Sequence, residues 1–564
     1  MKKFITLAMS LIVVFAACSM SGCKKNQPNQ KDGSSIELYI NNGHYFDGKT
    51  KDSVWKEIEK RAGVEFTVSG ESHSGNYYTK LSPLMNTLVD APDVVFIVPT
   101  AESMSSAFND VWCNPKSGLI YSYDDLLKEY PAGTFPYIEK MLYASQFKNV
   151  LNNGKHYMLP NLTSANSFGI YYRTDWLIAA GYYNEVDGTK VARYPKNLDE
   201  FTDVLEKFSN IGKLAKDNGI TLKQTADRTY GFSPASGPHL WMPIYHAFGV
   251  TDGWDIYGDG IDYMYSNAKY RNFLVWANSM YNKGYIYPTF NSLATNGERQ
   301  LFYDGKIGVM FTNAETHVKY IMDRMTSLGV GDCVGFGPAI EGTKTYGEEG
   351  SKGFSDWGGY WGGYCISRTC KNTKGALSLL NFLLSPEGGM LRTNGIEGVH
   401  YTLKDGKVVV TQENIENRMI EGSAFISYEN DDRELLPTGA YEMGSSFGRV
   451  AKWQLFEETG RLESYCDAYT LDQKYTRLVQ DALDRMVLKS SKLVNFNAYP
   501  NSTVSAMTVY ADTAKSYVNS VIIGLNGFSI TEWDALIAKL KSSNKNVAMF
   551  ASANNTCREF GFLQ

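Results

Sequence analysis

The chain has 564 residues, a net charge of -5 and 13% aromatic residues, among them 38 Tyr and 10 Trp. That length accommodates at least two domains with substantial cores. The acidic balance, with no local stripe of Lys and Arg, excludes a nucleic-acid binder held by phosphate contacts.

At the amino terminus, Lys2 and Lys3 precede an apolar run from Phe4 to Ala17 that is too short to span a bilayer comfortably. Ser21-Gly22-Cys23 then sets small residues before a cysteine, and polar residues begin directly after it. This resembles a lipobox, with Cys23 as the lipidated first residue of the mature protein. Met20 stands where Leu is usual, and Ala16-Ala17-Cys18 offers a competing site. An ordinary cleaved signal without lipid is the alternative, and either reading exports the chain. Residues 24–34 read as a polar tether. No later segment is apolar and long enough to span a membrane. Cys113, Cys333, Cys365, Cys370, Cys466 and Cys557 are scattered without a C-x-x-C pair. Free buried thiols are expected, with a local Cys365–Cys370 bridge as the alternative.

Ile36 to Ile40 reads as a first strand. Asp52 or Ser53 should cap a helix whose Val54, Trp55, Ile58 and Ala62 share a face and which Gly63 ends. Val64 to Val68 is a second strand, a helix follows near Tyr78 to Val89, and Asp93 to Val98 is a continuous apolar run suited to a parallel sheet. This alternation is the rhythm of a doubly wound α/β domain, in which ligands sit beyond the carboxyl ends of the strands. Those ends carry Asn41 to Tyr45 and Pro99 to Glu102. Farther on, Phe168 to Trp176 reads as a strand ending at Asp175, which should cap the next helix, with Trp176 in the core. Gly363 to Ser367 reads as a short strand. Thr373 to Leu384 is an amphipathic helix with Ala376, Leu379, Leu380 and Leu383 on one face, closed by Ser385-Pro386. Asp405-Gly406 marks a hairpin between Leu403 and Val410.

Several segments recur in a recognisable order: Gly154-Lys155-His156-Tyr157-Met158-Leu159-Pro160, FGIYYRTDW from Phe168, PKNLDEF from Pro195, Phe273 to Phe290, Gly305 to Met310, and NFLLSPEG followed by GIEGVHYTLKDGKV. Thr513 to Gly524 and Ile530 to Leu540 add a closing helix pair. Together they resemble the family 1 extracellular solute-binding proteins, the lipoprotein receptors of carbohydrate ABC importers. The resemblance implies a two-lobed periplasmic-binding-protein-like α/β fold with an interlobe cleft. It implies crossings near Pro160 to Phe168 and Gly359 to Cys365. The lobes are expected at 35–165 with 362–425 and at 166–361 with 426–564. Implied partners are a carbohydrate, permease subunits and the membrane, for a monomer without cofactor.

For ligand binding, the candidates are Trp357, Tyr360 and Trp361 on a glycine-rich loop, Trp241 in SGPHLWMP, and Tyr45 after the first strand. All five lie in Gly/Pro/Asn-rich segments rather than periodic apolar faces, although packing beneath loops is the competing reading. Asp356, Glu102 and Glu315 are weaker candidates as hydroxyl acceptors. Gly444-Ser445-Ser446-Phe447-Gly448 matches the nucleophile elbow, but the last histidine, His400, precedes it and no convincing strand leads into it. Neither H-E-x-x-H nor a phosphate-binding G-x-x-x-x-G-K-[ST] occurs. A glycoside hydrolase, needing only two well-spaced carboxylates, is the alternative function, and a polymer-binding surface protein is the third. The segment Ser209 to Tyr230 lacks a calcium-loop pattern, and Asp255, Asp259 and Asp262 read as a turn rather than a metal site.

Overall fold

The computed structural model describes residues 33–413 and 488–564, apart from 41–42, 47–49, 72–76, 89, 99–106, 144–150, 153, 163–167, 235–241, 295–296, 314–317, 356–359, 405–406, 410, 412, 490 and 494–498. Two sheets organise it. The first contains β1 (Ser35–Tyr39), β2 (Glu65–Ser69), β3 (Val94–Ile97) and β4 (Leu159–Leu162). The second contains β5 (Phe168–Arg173), β6 (Tyr230–Phe232), β7 (Ile307–Asn313) and β8 (Val334–Gly337). The chain then returns to the first sheet as β9 (Tyr360–Ile366). The orders are β2-β1-β3-β9-β4 and β6-β7-β5-β8.

Local chemistry accounts for the first alternation. Asp52 accepts the Trp55 N–H at 2.8 Å, and Gly63 closes the helix Ser53–Ala62 at φ 70°. The buried face holds Val54, Trp55, Ile58 and Ala62, as the spacing predicts. β1 pairs in parallel with both β2 and β3, whose four residues are all buried. Two glycines let the ends of β1 and β2 meet. A Cβ on Gly43 would lie 1.8 Å from the Ser69 carbonyl oxygen, and one on Gly70 would lie 1.9 Å from that of Ile40.

One apolar core runs from Ile36 to Leu159 and resumes from Tyr364 to Leu391. A second runs from Ile170 to Phe354 and takes in Ala514 to Trp533 from the closing helices. Trp176 is fully buried in it, as expected, and donates to the Gln224 carbonyl at 3.3 Å. The other face of the second sheet packs Tyr171, Met310 and Phe336 under a separate cluster.

Four expectations need correction. Asp175 does not cap its helix; it receives both Nε and Nη2 of the buried Arg173, at 3.0 and 2.8 Å. Ser385-Pro386 does end the helix Thr373–Leu384 but also starts Pro386–Asn394, because Ser385 accepts the Gly388 N–H and proline fits a first turn. The closing pair is four helices: Asn501–Ser516, Val518–Ile523, Ile530–Ser542 and Asn544–Glu559. The last strand of the first sheet begins three residues before Gly363.

Asp255 and Asp262 face each other in a hairpin, Trp254–Tyr257 with Gly260–Tyr263, and Asp259 sits in its turn. Asp255 accepts the Lys492 N–H, while Asp262 takes Lys541 Nζ at 2.7 Å and the Ser266 hydroxyl at 2.6 Å. Cys113, Cys333, Cys365, Cys370 and Cys557 are buried thiols with no disulfide among them. The hairpin strands Thr402–Lys404 and Lys407–Val409 pair around 405–406. Cys23, Cys466 and the stretch Gly444 to Gly448 lie outside the described residues.

Candidate ligand-binding site

Register decides which strand ends share an edge. In the first sheet β9 runs antiparallel to β3 and to β4, with Gly363 opposite both Ile97 and Pro160, and Tyr360 opposite Leu162. The carboxyl ends of β1, β2, β3 and β4 therefore lie beside the start of β9. In the second sheet β6 and β7 are parallel, while β5 runs against β7 and β8. The ends of β6, β7 and β8 thus lie beside the start of β5. Chain length ties these two edges together. Leu162 and Phe168 are six residues apart, so their Cα atoms are within about 20 Å. A second link returns from Ser355, beside the buried Phe354 of the second core, to Tyr360.

Of the residues proposed for ligand contact, Tyr45, Tyr360 and Trp361 have described backbone, and it lies at the first of these edges. Tyr45 lies in the single turn Gly43–Phe46 after β1. Glu102 follows β3, Trp241 follows β6, Glu315 follows β7, and Asp356 and Trp357 lead into β9; these five fall outside the described residues. Tyr360 and Trp361 open β9 rather than sitting on a loop, and for them, as for Tyr45, the backbone alone is described.

The glycines after Trp361 serve backbone packing. Gly362 adopts φ +72°, where a Cβ would lie 2.3 Å from the Ile97 carbonyl oxygen. On Gly363 a Cβ would lie 2.4 Å from the Leu159 carbonyl oxygen. Both admit close packing between β3 and β4. The register shifts between Tyr360 and Gly363, a bulge that redirects the strand where it leaves the sheet.

Two features escaped sequence reasoning. Tyr78, at the start of the helix Tyr77–Thr87, accepts the Val98 N–H at 2.8 Å and so pins β3 as it reaches the edge. Its phenol is pushed well above the usual range by burial. Paired tyrosines after a Gly/Ser/Asn-rich stretch were the available signal. At the second edge, Arg299 of the helix Gly297–Tyr303 donates through Nη2 to the Thr312 hydroxyl at 3.3 Å, one residue before β7 ends. Beside it the Glu298 carboxylate, its side chain 3% exposed, lies 3.9 Å from Arg299 Nε. Burial holds that carboxyl above its ordinary range.

Two α/β units, each built on its own sheet and core and joined by two short links, have the architecture of a two-lobed binding protein. The chain belongs to the bacterial extracellular solute-binding proteins, whose family pattern matches residues 53–395. It is 24% identical over 419 residues to the polygalacturonan/rhamnogalacturonan-binding protein YtcQ of Bacillus subtilis (strain 168), covering 72% of this chain and 76% of that one. It is likewise 24% identical over 431 residues to lipoprotein LipO of the same organism, covering 74% and 77%. Among solved structures, the alginate-binding protein AlgQ2 without calcium superposes with a TM-score of 0.61 at 14% identity, over 93% of this chain and 97% of that one. The Streptococcus pneumoniae substrate-binding protein FusA in complex with kestose also gives 0.61, at 17% identity, over 93% and 99%. These superpositions identify the fold as the two-lobed solute-binding one.

Proposed function

We propose that this protein captures an oligosaccharide between the two sheet edges and delivers it to an ABC importer, tethered outside the membrane by a lipid on Cys23. One lobe comprises 35–165 with 362–425 and the other 166–361 with 426–564. The protein acts as a monomer and by capture, without turnover. Sugar rings stack on Trp357, Tyr360, Trp361, Trp241 and Tyr45, hydroxyls meet polar groups at the strand ends, and the lobes close by a hinge motion at the two crossings. The closed form then docks on the permease, and ATP is hydrolysed elsewhere in the transporter.

The observation that supports this reading is that the backbone of Tyr45, Tyr360 and Trp361 lies at the first of the two linked strand edges. Relatives named for binding polygalacturonan, rhamnogalacturonan and alginate, and a structural relative holding kestose, support a saccharide as the solute. The test is a thermal-shift screen of the protein from residue 24 onward against mono- and oligosaccharides. A ligand at a hundred times its dissociation constant adds about 2.7 kcal/mol, an upshift on the order of a few degrees for a chain of this size. The saccharide should be recovered intact by chromatography. Cleaved product would instead make the protein a glycosidase, and no shift with any saccharide would remove the carbohydrate assignment.

A further inference from the structure

Strand order places a crevice at the first edge. With β2, β1 and β3 in that order, the chain leaves β1 toward β2 and then crosses back over β1 to reach β3. The carboxyl ends of β1 and β3 are thus the switch point at which an open α/β sheet of this order ordinarily admits a ligand. Here the protein's own side chain fills it. Tyr77 is fully buried, and its hydroxyl sits in the fork where the two strands part, donating to the Phe96 carbonyl at 2.6 Å and to that of Tyr39 at 3.1 Å. The last paired position between these strands is Tyr39 with Val95, so both carbonyls stand where the ladder ends. The same helical turn holds the other exits. Tyr78 accepts the N–H of Val98, the first residue past β3, at 2.8 Å, and Lys80 pairs with Glu71, two residues past β2. Val98 is 4% exposed, so losing the phenol oxygen would strand its N–H away from water unless the strand exit loosened. On β1 the next residue, Ile40, accepts the Gly43 N–H at 3.1 Å and so begins the turn Gly43–Phe46 that carries Tyr45. One helical turn, Tyr77 to Lys80, therefore fastens the exits of β1, β2 and β3 at a single edge.

Resting on the proposed capture of a saccharide at this edge, we infer that Tyr77 and Tyr78 are positioning residues for binding: their hydroxyls plug and fasten the crevice between β1 and β3, so that the ligand is taken on a preset outer edge rather than inside the crevice. Both act through the backbone of the strand exits. An edge set in advance need not be ordered when the ligand arrives, and the two hydroxyls remove that ordering cost from binding.

The experiment compares wild type, Tyr77→Phe, Tyr78→Phe and Leu81→Val. Leu81 is buried in the same helix and its side chain is apolar, so Leu81→Val lowers stability while leaving the hydroxyl bonds in place. Each protein is titrated calorimetrically with kestose and with a galacturonate trimer, at a temperature where thermal unfolding shows all four to be folded. Amide hydrogen exchange over Val94 to Val98 is read without ligand. In Tyr78→Phe the Val98 amide should exchange at least about tenfold faster, and either tyrosine variant should bind roughly five- to fiftyfold more weakly than wild type. Leu81→Val should keep wild-type affinity despite a lower melting temperature. Wild-type affinity in either tyrosine variant would make its hydroxyl merely structural and overturns the inference. An equal loss in Leu81→Val overturns it too, since general softening would then explain the effect, and so does unchanged exchange at Val98; in all three cases the proposed function stands. Wild type that binds neither saccharide overturns both.

Discussion

At the residue scale, four residues carry separable consequences. If Trp357 and Trp361 stack on the sugar, replacing either by Ala should weaken binding by about 1–2 kcal/mol, roughly five- to thirtyfold. Thermal unfolding of the free protein should hardly change, and wild-type affinity in both variants would sink the cleft assignment. Gly362 is the opposite case. Its φ of +72° and its packing on the Ile97 carbonyl leave no room for a methyl group. Gly362→Ala should cost about 2–4 kcal/mol in urea unfolding; a loss under 0.5 kcal/mol would show that the bulge relaxes easily. Asp252 sets a pH dependence. Burial lifts its carboxyl to about 6, against the pull of the Gly253 N–H and of Lys515, and Tyr245, Tyr263, Tyr265 and Tyr270 lie in its field. Because the folded value exceeds the unfolded one, the stabilisation from the bound proton is complete below about pH 4 and is lost as pH rises through about 6. Asp252→Asn should therefore match wild type near pH 4 and be more stable near pH 7.5, by about 1–2 kcal/mol. Equal melting temperatures at pH 7.5 would contradict this.

At the element scale, most of the regular structure was legible because it is enforced locally. Asn197 accepts the Glu200 N–H at 2.9 Å and caps the helix Leu198–Phe208, whose apolar positions follow the helical period. Asn197→Ala should cost about 1 kcal/mol, read from chemical denaturation; no change would mean that the tertiary contacts of Leu198 and Phe201 hold the turn unaided. The elements that sequence reasoning misjudged depend on distant partners. Tyr360-Trp361-Gly362 looks like a loop because glycine weakens an isolated strand. It is strand here because β3 and β4 press so closely on either side that side chains would collide. Asp175 looks like a cap because it stands at a strand–helix junction. The fully buried Arg173 nearby, in need of a counter-charge, claims it instead.

At the scale of the whole molecule, two linked edges make a closing motion the central expectation. A saturating oligosaccharide should lower the radius of gyration in solution scattering, since hinge closure brings the lobes together; an unchanged radius with demonstrated binding would indicate an open groove suited to polymers. The sequence by itself determined the alternating α/β elements, their caps and core faces, and the ordered motifs that resemble an extracellular solute-binding protein. These are legible because caps, periodicity and apolar runs act over a few residues. Only the tertiary structure decided that β9, more than 260 residues after β3, lies between β3 and β4. Register within each of the two sheets brings nine strand termini to two edges, and the second sheet sets Arg299 beside Thr312 at one of them. Such relations rest on hydrogen-bond register and close backbone packing between segments far apart in the chain, and no local pattern of residues encodes them.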